Sequence, residues 1–83
     1  MSVVDAPAEQ AETIEALWRA VDRLGLDLKM ALLLRDIAGF SYDEIAEILE
    51  ITLATVKWRI YKAREEVHLM LTQPDVVTTR RAV

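Results

Sequence analysis

The stretch Ser41–Glu66, SYDEIAEILEITLATVKWRIYKAREE, decides how this chain folds. It opens with Ser41-x-x-Glu44, a spacing at which a hydroxyl and a carboxylate can each satisfy an orphan N–H at the start of a helix. A helix therefore begins at Tyr42. Along it Ile45, Ile48 and Leu49 recur at helical spacing, Ala46 lets a partner helix come close, and Asp43, Glu44 and Glu47 face water. Glu50-Ile51-Thr52 is too short to hold structure of its own, and Thr52 is a good N-cap, so a second helix starts at Leu53. Each residue of that helix turns the chain by about 100°. Val56, Ile60, Ala63 and Val67 then share one face, while Ala54, Trp58, Tyr61, Lys62 and Glu65 lie broadly opposite.

The second helix is basic. Lys57 and Arg64 project along one flank and Arg59 along the other. Between Ile51 and Arg64 stand four cations (Lys57, Arg59, Lys62, Arg64) and no acid, so the net charge of −4 divides into +4 here and −8 elsewhere. A short amphipathic helix, a tight turn and a basic helix follow one another in the order of a helix-turn-helix. In that motif the second helix enters the major groove and the first holds it at its angle, with long cationic side chains reaching phosphates beside the groove. The acidic total does not exclude DNA.

Working outward, four helices are expected, at 8–24, 27–37, 42–49 and 53–71, with no strand pattern and no internal repeat. Gly25 is expected to end the first helix as its C′ residue, Asp27 to cap the second, and Ala38-Gly39-Phe40 to turn the chain before the capping box. The expected core is Leu17, Val21, Leu24, Leu28, Leu32, Ile37, Ile45, Leu49, Ile51, Val56, Ile60 and Ala63, with Trp18 beside Leu17 on the same inward face. Trp58 is expected to be exposed, and His68 to sit on a helix surface. Residues 1–7 read as a tail or linker remnant, 8–73 as the domain, and 74–83 as a flexible tail that begins where Pro74 stops the last helix and carries Arg80 and Arg81. The fold class is all-α, a compact four-helix domain containing a helix-turn-helix.

Composition bounds the function. A chain of 83 residues with 53% hydrophobic content forms one domain with a modest core. Without cysteine there is no disulfide framework or thiolate metal site, which suits a reducing cytoplasm. No apolar run has the length of a membrane span, and the acidic start Met1 to Glu12 is unlike a secretory signal. A lone histidine without HExxH cannot build a hydrolytic metal site, and Gly25 and Gly39 are too isolated to cradle a phosphate. Asp43, Glu44 and Glu47 have no base partner or apolar pocket. No enzyme, metal or cofactor is expected.

The runs Tyr42–Leu49 and Thr55–Glu65, with the upstream Leu24–Asp36 ending Leu32-Leu33-Leu34-Arg35-Asp36, resemble region 4 of bacterial sigma-70-family factors, particularly the extracytoplasmic-function type. The resemblance covers about residues 16–71. It implies a non-catalytic domain that recognises the minus-35 promoter element while docked on RNA polymerase. Thr55, Lys57, Trp58, Arg59, Lys62 and Arg64 would occupy the recognition helix, led by Thr52 at its cap, with base readout from Thr55, Trp58 and Arg59. Arg35, Ser41 and Tyr42 on neighbouring elements would grip backbone phosphates. Implied partners are promoter DNA, the RNA polymerase β subunit and an anti-sigma protein, in the bacterial cytoplasm at the nucleoid. The part that melts the minus-10 region is absent from these residues, so the chain is expected to be an excised domain or a fragment working with other chains, monomeric when isolated.

Three positions depart from the family pattern. Glu50 stands where a glycine often makes the turn, so a non-glycine residue with positive φ would carry strain. Trp58 replaces a small residue, commonly serine, so the centre of the reading face would be bulky and apolar. Gly25 follows Leu24 where proline is frequent, breaking the helix at the same place by a different route. Two other readings remain at this level: a stand-alone dimeric regulator that binds two half-sites, and a sigma-mimicking module that binds protein instead of promoter.

Overall fold

The computed structural model describes residues 8–72, with side chains from Gln10 onward. Four α-helices succeed one another: α1 (Ala8–Asp22), α2 (Leu26–Leu32), α3 (Tyr42–Leu49) and α4 (Leu53–Thr72), and α2 continues directly into a π-helical turn at Leu33–Ile37. The expected tails 1–7 and 74–83, with Pro74, Arg80 and Arg81, lie outside the described residues.

The first connection differs from the expectation. α1 closes through tight bonds, Arg23 N–H to the Ala20 carbonyl and Leu24 N–H to the Val21 carbonyl, both 3.1 Å. These serve carbonyls that a left-handed glycine would otherwise help to satisfy. Gly25 is therefore not a C′ residue: at φ −60°, ψ 153° it is extended and stands at the N-cap of α2, its carbonyl accepting from Lys29 N–H at 2.9 Å. That φ is the one a proline ring imposes, so the chain breaks along the backbone path a proline would take, not a different one. Asp27 is likewise not the cap. It sits in the first turn of α2, where no side-chain cap bond forms.

The second connection is wider than an α-helix permits. Ala38 N–H bonds back to the Leu33 carbonyl at 2.9 Å and Phe40 N–H to the Leu34 carbonyl at 3.0 Å, and Gly39 takes φ +80°, open to glycine without strain. The expected continuous helix through residue 37 thus ends in π geometry. Leu33 packs against one core cluster and Leu34 against another.

α3 begins as its sequence requires. Ser41 Oγ accepts from Glu44 N–H at 3.1 Å while Glu44 Oε1 accepts from Ser41 N–H at 2.8 Å, a complete capping box. It ends at Glu50, a non-glycine residue held at φ 56°, ψ 48°. Glu50 N–H reaches the Glu47 carbonyl at 3.3 Å and Ile51 N–H the Ala46 carbonyl at 3.0 Å, the paired bonds of a Schellman motif. Those bonds hold Glu50 in a conformation that its Cβ disfavours. Thr52 then caps α4, its Oγ1 accepting from Thr55 N–H at 3.1 Å.

Two apolar clusters meet along α4. Ala20, Val21 and Leu24 of α1 and Leu32 of α2 pack with Ala63 and Val67, while Ala31 of α2 and Ile45 of α3 pack with Val56 and Ile60. Every residue assigned to the inner face of α4 is buried. Leu28, Leu49 and Ile51 are partly buried against these clusters. Leu17 and Ile37 are not core: they are 40% and 65% exposed, and Trp18 is 44% exposed. The apolar stripe of α1 is wider than the surface its neighbours cover, and Ile37 lies at the outer end of the π turn. Instead, all three line an apolar hollow floored by Val21, Leu32 and Leu33. Ala20 and Ala31, absent from the expected core, are buried.

Candidate nucleic-acid interface

Because the inner face of α4 is consumed by packing, its outer face is fixed in direction. Val56 points inward, and Trp58 lies two residues on, about 200° round the helix axis and so nearly opposite the core. The residue is 60% exposed. Tyr61 is also exposed, 63%, and His68 sits on the surface as expected.

The two predicted flanks are present. On one side Lys57, Tyr61, Arg64 and His68 share a shallow concavity with Tyr42 of α3. On the other, Thr55, Trp58, Arg59 and Lys62 share one with Leu26 and Leu28 of α2. Thus the structure brings Tyr42 together with Lys57 and Arg64, and Thr55 together with Trp58, Arg59 and Lys62. Ser41, Thr52 and Arg35 stand at turns that position these flanks, and all three have structural work. Ser41 and Thr52 are helix caps. Arg35 donates from a terminal guanidinium nitrogen to the Phe40 carbonyl at 3.0 Å and stacks over the Tyr42 ring, 4.8 Å from its centroid. Its guanidinium therefore braces the turn into α3 and orients Tyr42.

The electrostatics depart from the linear reading. The stretch from Ile51 to Arg64 lacks acids in sequence, yet acids reach three of its four cations in space. Arg64 donates from Nε and a terminal nitrogen to both carboxylate oxygens of Asp36, with Nε to Oδ2 at 3.1 Å. Lys62 Nζ meets Glu65 Oε1 at 3.0 Å, and Arg59 approaches Asp27 Oδ2 at 3.9 Å. Lys57 alone of the four has no ion-pair partner among the described residues. Hydrogen bonding to Asp36 raises the Arg64 pKa. The Lys62–Glu65 bond raises the lysine and lowers the carboxyl. Thr55 is also engaged, its hydroxyl 2.8 Å from that of Thr52. Asp27, Asp36 and Glu65 were not among the expected site residues. Only Glu65, three residues after Lys62, carried a readable signal, since such pairs face each other on a helix.

A short capped helix, a left-handed turn and a second helix that keeps one face for the core and turns a partly neutralised basic face outward define a helix-turn-helix of the DNA-binding class. The family model for sigma-70, region 4 matches residues 14–67, and the chain belongs to that family. It is 41% identical over 56 residues to the ECF RNA polymerase sigma-E factor of Escherichia coli strain K12, and equally to that of Salmonella typhimurium strain LT2, covering 68% of this chain and 29% of each relative. The ECF RNA polymerase sigma-E factor of Haemophilus influenzae is 38% identical over 65 residues, covering 75% of this chain and 34% of that protein. The chain thus spans about a third of the length of these curated relatives. No helix among the described residues is long and apolar enough to cross a membrane.

Proposed function

We propose that this domain recognises the minus-35 promoter element as region 4 of a sigma factor bound to RNA polymerase, with α4 in the major groove. The observation that carries the reading is the outward face of α4: Trp58 opposite the core, Lys57 and Arg64 on one flank, and Arg59 and Lys62 on the other. Thr55, Trp58 and Arg59 face base edges from the first two turns of the helix. Lys57, Lys62 and Arg64 contact phosphates, and Arg35, Ser41, Tyr42 and Thr52 steady or meet the backbone at the helix entrances. The apolar hollow of Leu17, Trp18 and Ile37 suits the β subunit of RNA polymerase. An anti-sigma protein competes for the basic flank. The protein works in the bacterial cytoplasm at the nucleoid, performs no catalysis, and is a monomer when isolated.

Titration of fluorescent duplexes across salt tests the reading. Affinity falls steeply with added salt if several phosphates are neutralised. No binding at low salt would overturn it in favour of a module that binds protein.

A further inference from the structure

Resting on the promoter reading above, the geometry points to Trp58 as the specificity-determining residue of this chain, selecting a thymine in the bound duplex through its C5-methyl group and O4. Thr55, Arg59 and Lys62, the polar side chains of α4 that flank Trp58 in the same concavity, are already engaged. Thr55 shares its hydroxyl with Thr52 at 2.8 Å, Lys62 is held by Glu65 at 3.0 Å, and Arg59, its side chain only 21% exposed, leans toward Asp27. Trp58 has no such engagement among the described residues, is 60% exposed, and lies nearly opposite the core in the second turn of α4. A recognition helix meets base edges with this N-terminal part.

The indole has an apolar body, one N–H donor and no acceptor. Among the four bases, thymine alone offers a methyl group with an acceptor beside it on the major-groove edge. Cytosine presents a donor that the indole cannot answer, and guanine presents acceptors without an apolar group. Beside Trp58, Leu26 and Leu28 of α2 line the same shallow concavity, and Leu26 is 70% exposed. A methyl group lodged there leaves water for an apolar wall.

The test uses the whole 83-residue chain. Duplexes are selected from a random pool, and each selected thymine is then replaced singly by uracil, which removes the methyl group and keeps every hydrogen-bonding atom. At one thymine the replacement weakens binding about fourfold, the factor corresponding to roughly 0.8 kcal/mol for one buried carbon group. The Trp58→Ser variant, whose helical circular dichroism is unchanged because the indole is not core, binds with the same salt dependence and loses that fourfold difference. Equal thymine-to-uracil losses in both proteins, or none in either while both bind, would overturn the role of Trp58. Failure of the unaltered chain to retain any duplex would overturn the promoter reading itself.

Discussion

Arg64 on α4 and Asp36 on the π-helical turn, 28 positions apart in sequence, form a two-point ion pair that ties α4 to the element preceding the helix-turn-helix. The fork of the guanidinium matches the carboxylate, so the pair orients Arg64 along its flank as well as neutralising it. Both side chains remain substantially solvated, at 49% and 36% exposure.

Asp36→Asn is accordingly expected to cost about 0.5 kcal/mol of stability, as solvated pairs contribute roughly 0–1 kcal/mol. Thermal denaturation should show a small drop in Tm. The same variant binds duplexes more tightly at low salt, because Arg64 is released to a phosphate and one acid is removed from the interface. Unchanged affinity would mean that Arg64 is a brace and nothing more.

Lys57 and Glu65 should act in opposite directions. Lys57 has no ion-pair partner among the described residues, so Lys57→Ala breaks no such pair and reduces the slope of log affinity against log salt by about one. Glu65→Gln frees Lys62 and makes binding tighter. A salt titration of both variants reads the two effects, and movement in the same direction would contradict the charge arrangement described for α4.

The turn of the motif can be improved. Glu50 sits in the left-handed region, where a residue with a Cβ is disfavoured by roughly 1–2 kcal/mol. Part of that relief is lost to the greater freedom of glycine in the unfolded chain. Glu50→Gly is expected to stabilise the domain by about 1 kcal/mol, raising Tm by roughly 4–8 °C in a unit of this size. A lower Tm would show that the Glu50 side chain supplies an interaction outweighing the strain.

The capping box makes the start of α3 sensitive to acid. The hydrogen bond from Ser41 N–H, seconded by the Ser41 side chain, lowers the Glu44 pKa below its ordinary 4.5. A carboxyl whose folded value is depressed adds stability that is complete above its unfolded value and is lost as pH falls through the folded one. The difference in Tm between the unaltered protein and Glu44→Ala should therefore be constant near neutrality and shrink below about pH 4.5. A difference that persists at pH 3 would deny the ionised carboxylate its part in the cap.

The legible parts of this molecule were those set by neighbours along the chain. Ser41-x-x-Glu44, the caps at Thr52, the inner face Val56–Ile60–Ala63–Val67 and the exposure of Trp58 all follow from spacing within one or two turns. The strain at Glu50 was signalled only through the family resemblance, in which a glycine often makes this turn. What escaped depended on distant placement. Leu17, Trp18 and Ile37 have the right periodicity for a core, but whether a stripe is covered depends on how far its neighbours extend. The π turn redirects the end of α2 without a local marker in Leu33–Ile37. Likewise the approach of Asp27 and Asp36 to the basic helix is invisible until α2 is laid beside α4, and this is why the helix looked more cationic in sequence than it is in space.

One feature of α4 reaches beyond recognition. Its 20 residues make a single rod of about 30 Å, and the same rod contributes Val56 and Ile60 to one cluster and Ala63 and Val67 to the other. Val21, Leu32 and Leu33, which floor the hollow, pack in the cluster with Ala63 and Val67. The floor of the hollow and the tip bearing Trp58 are therefore anchored to one unbroken helix.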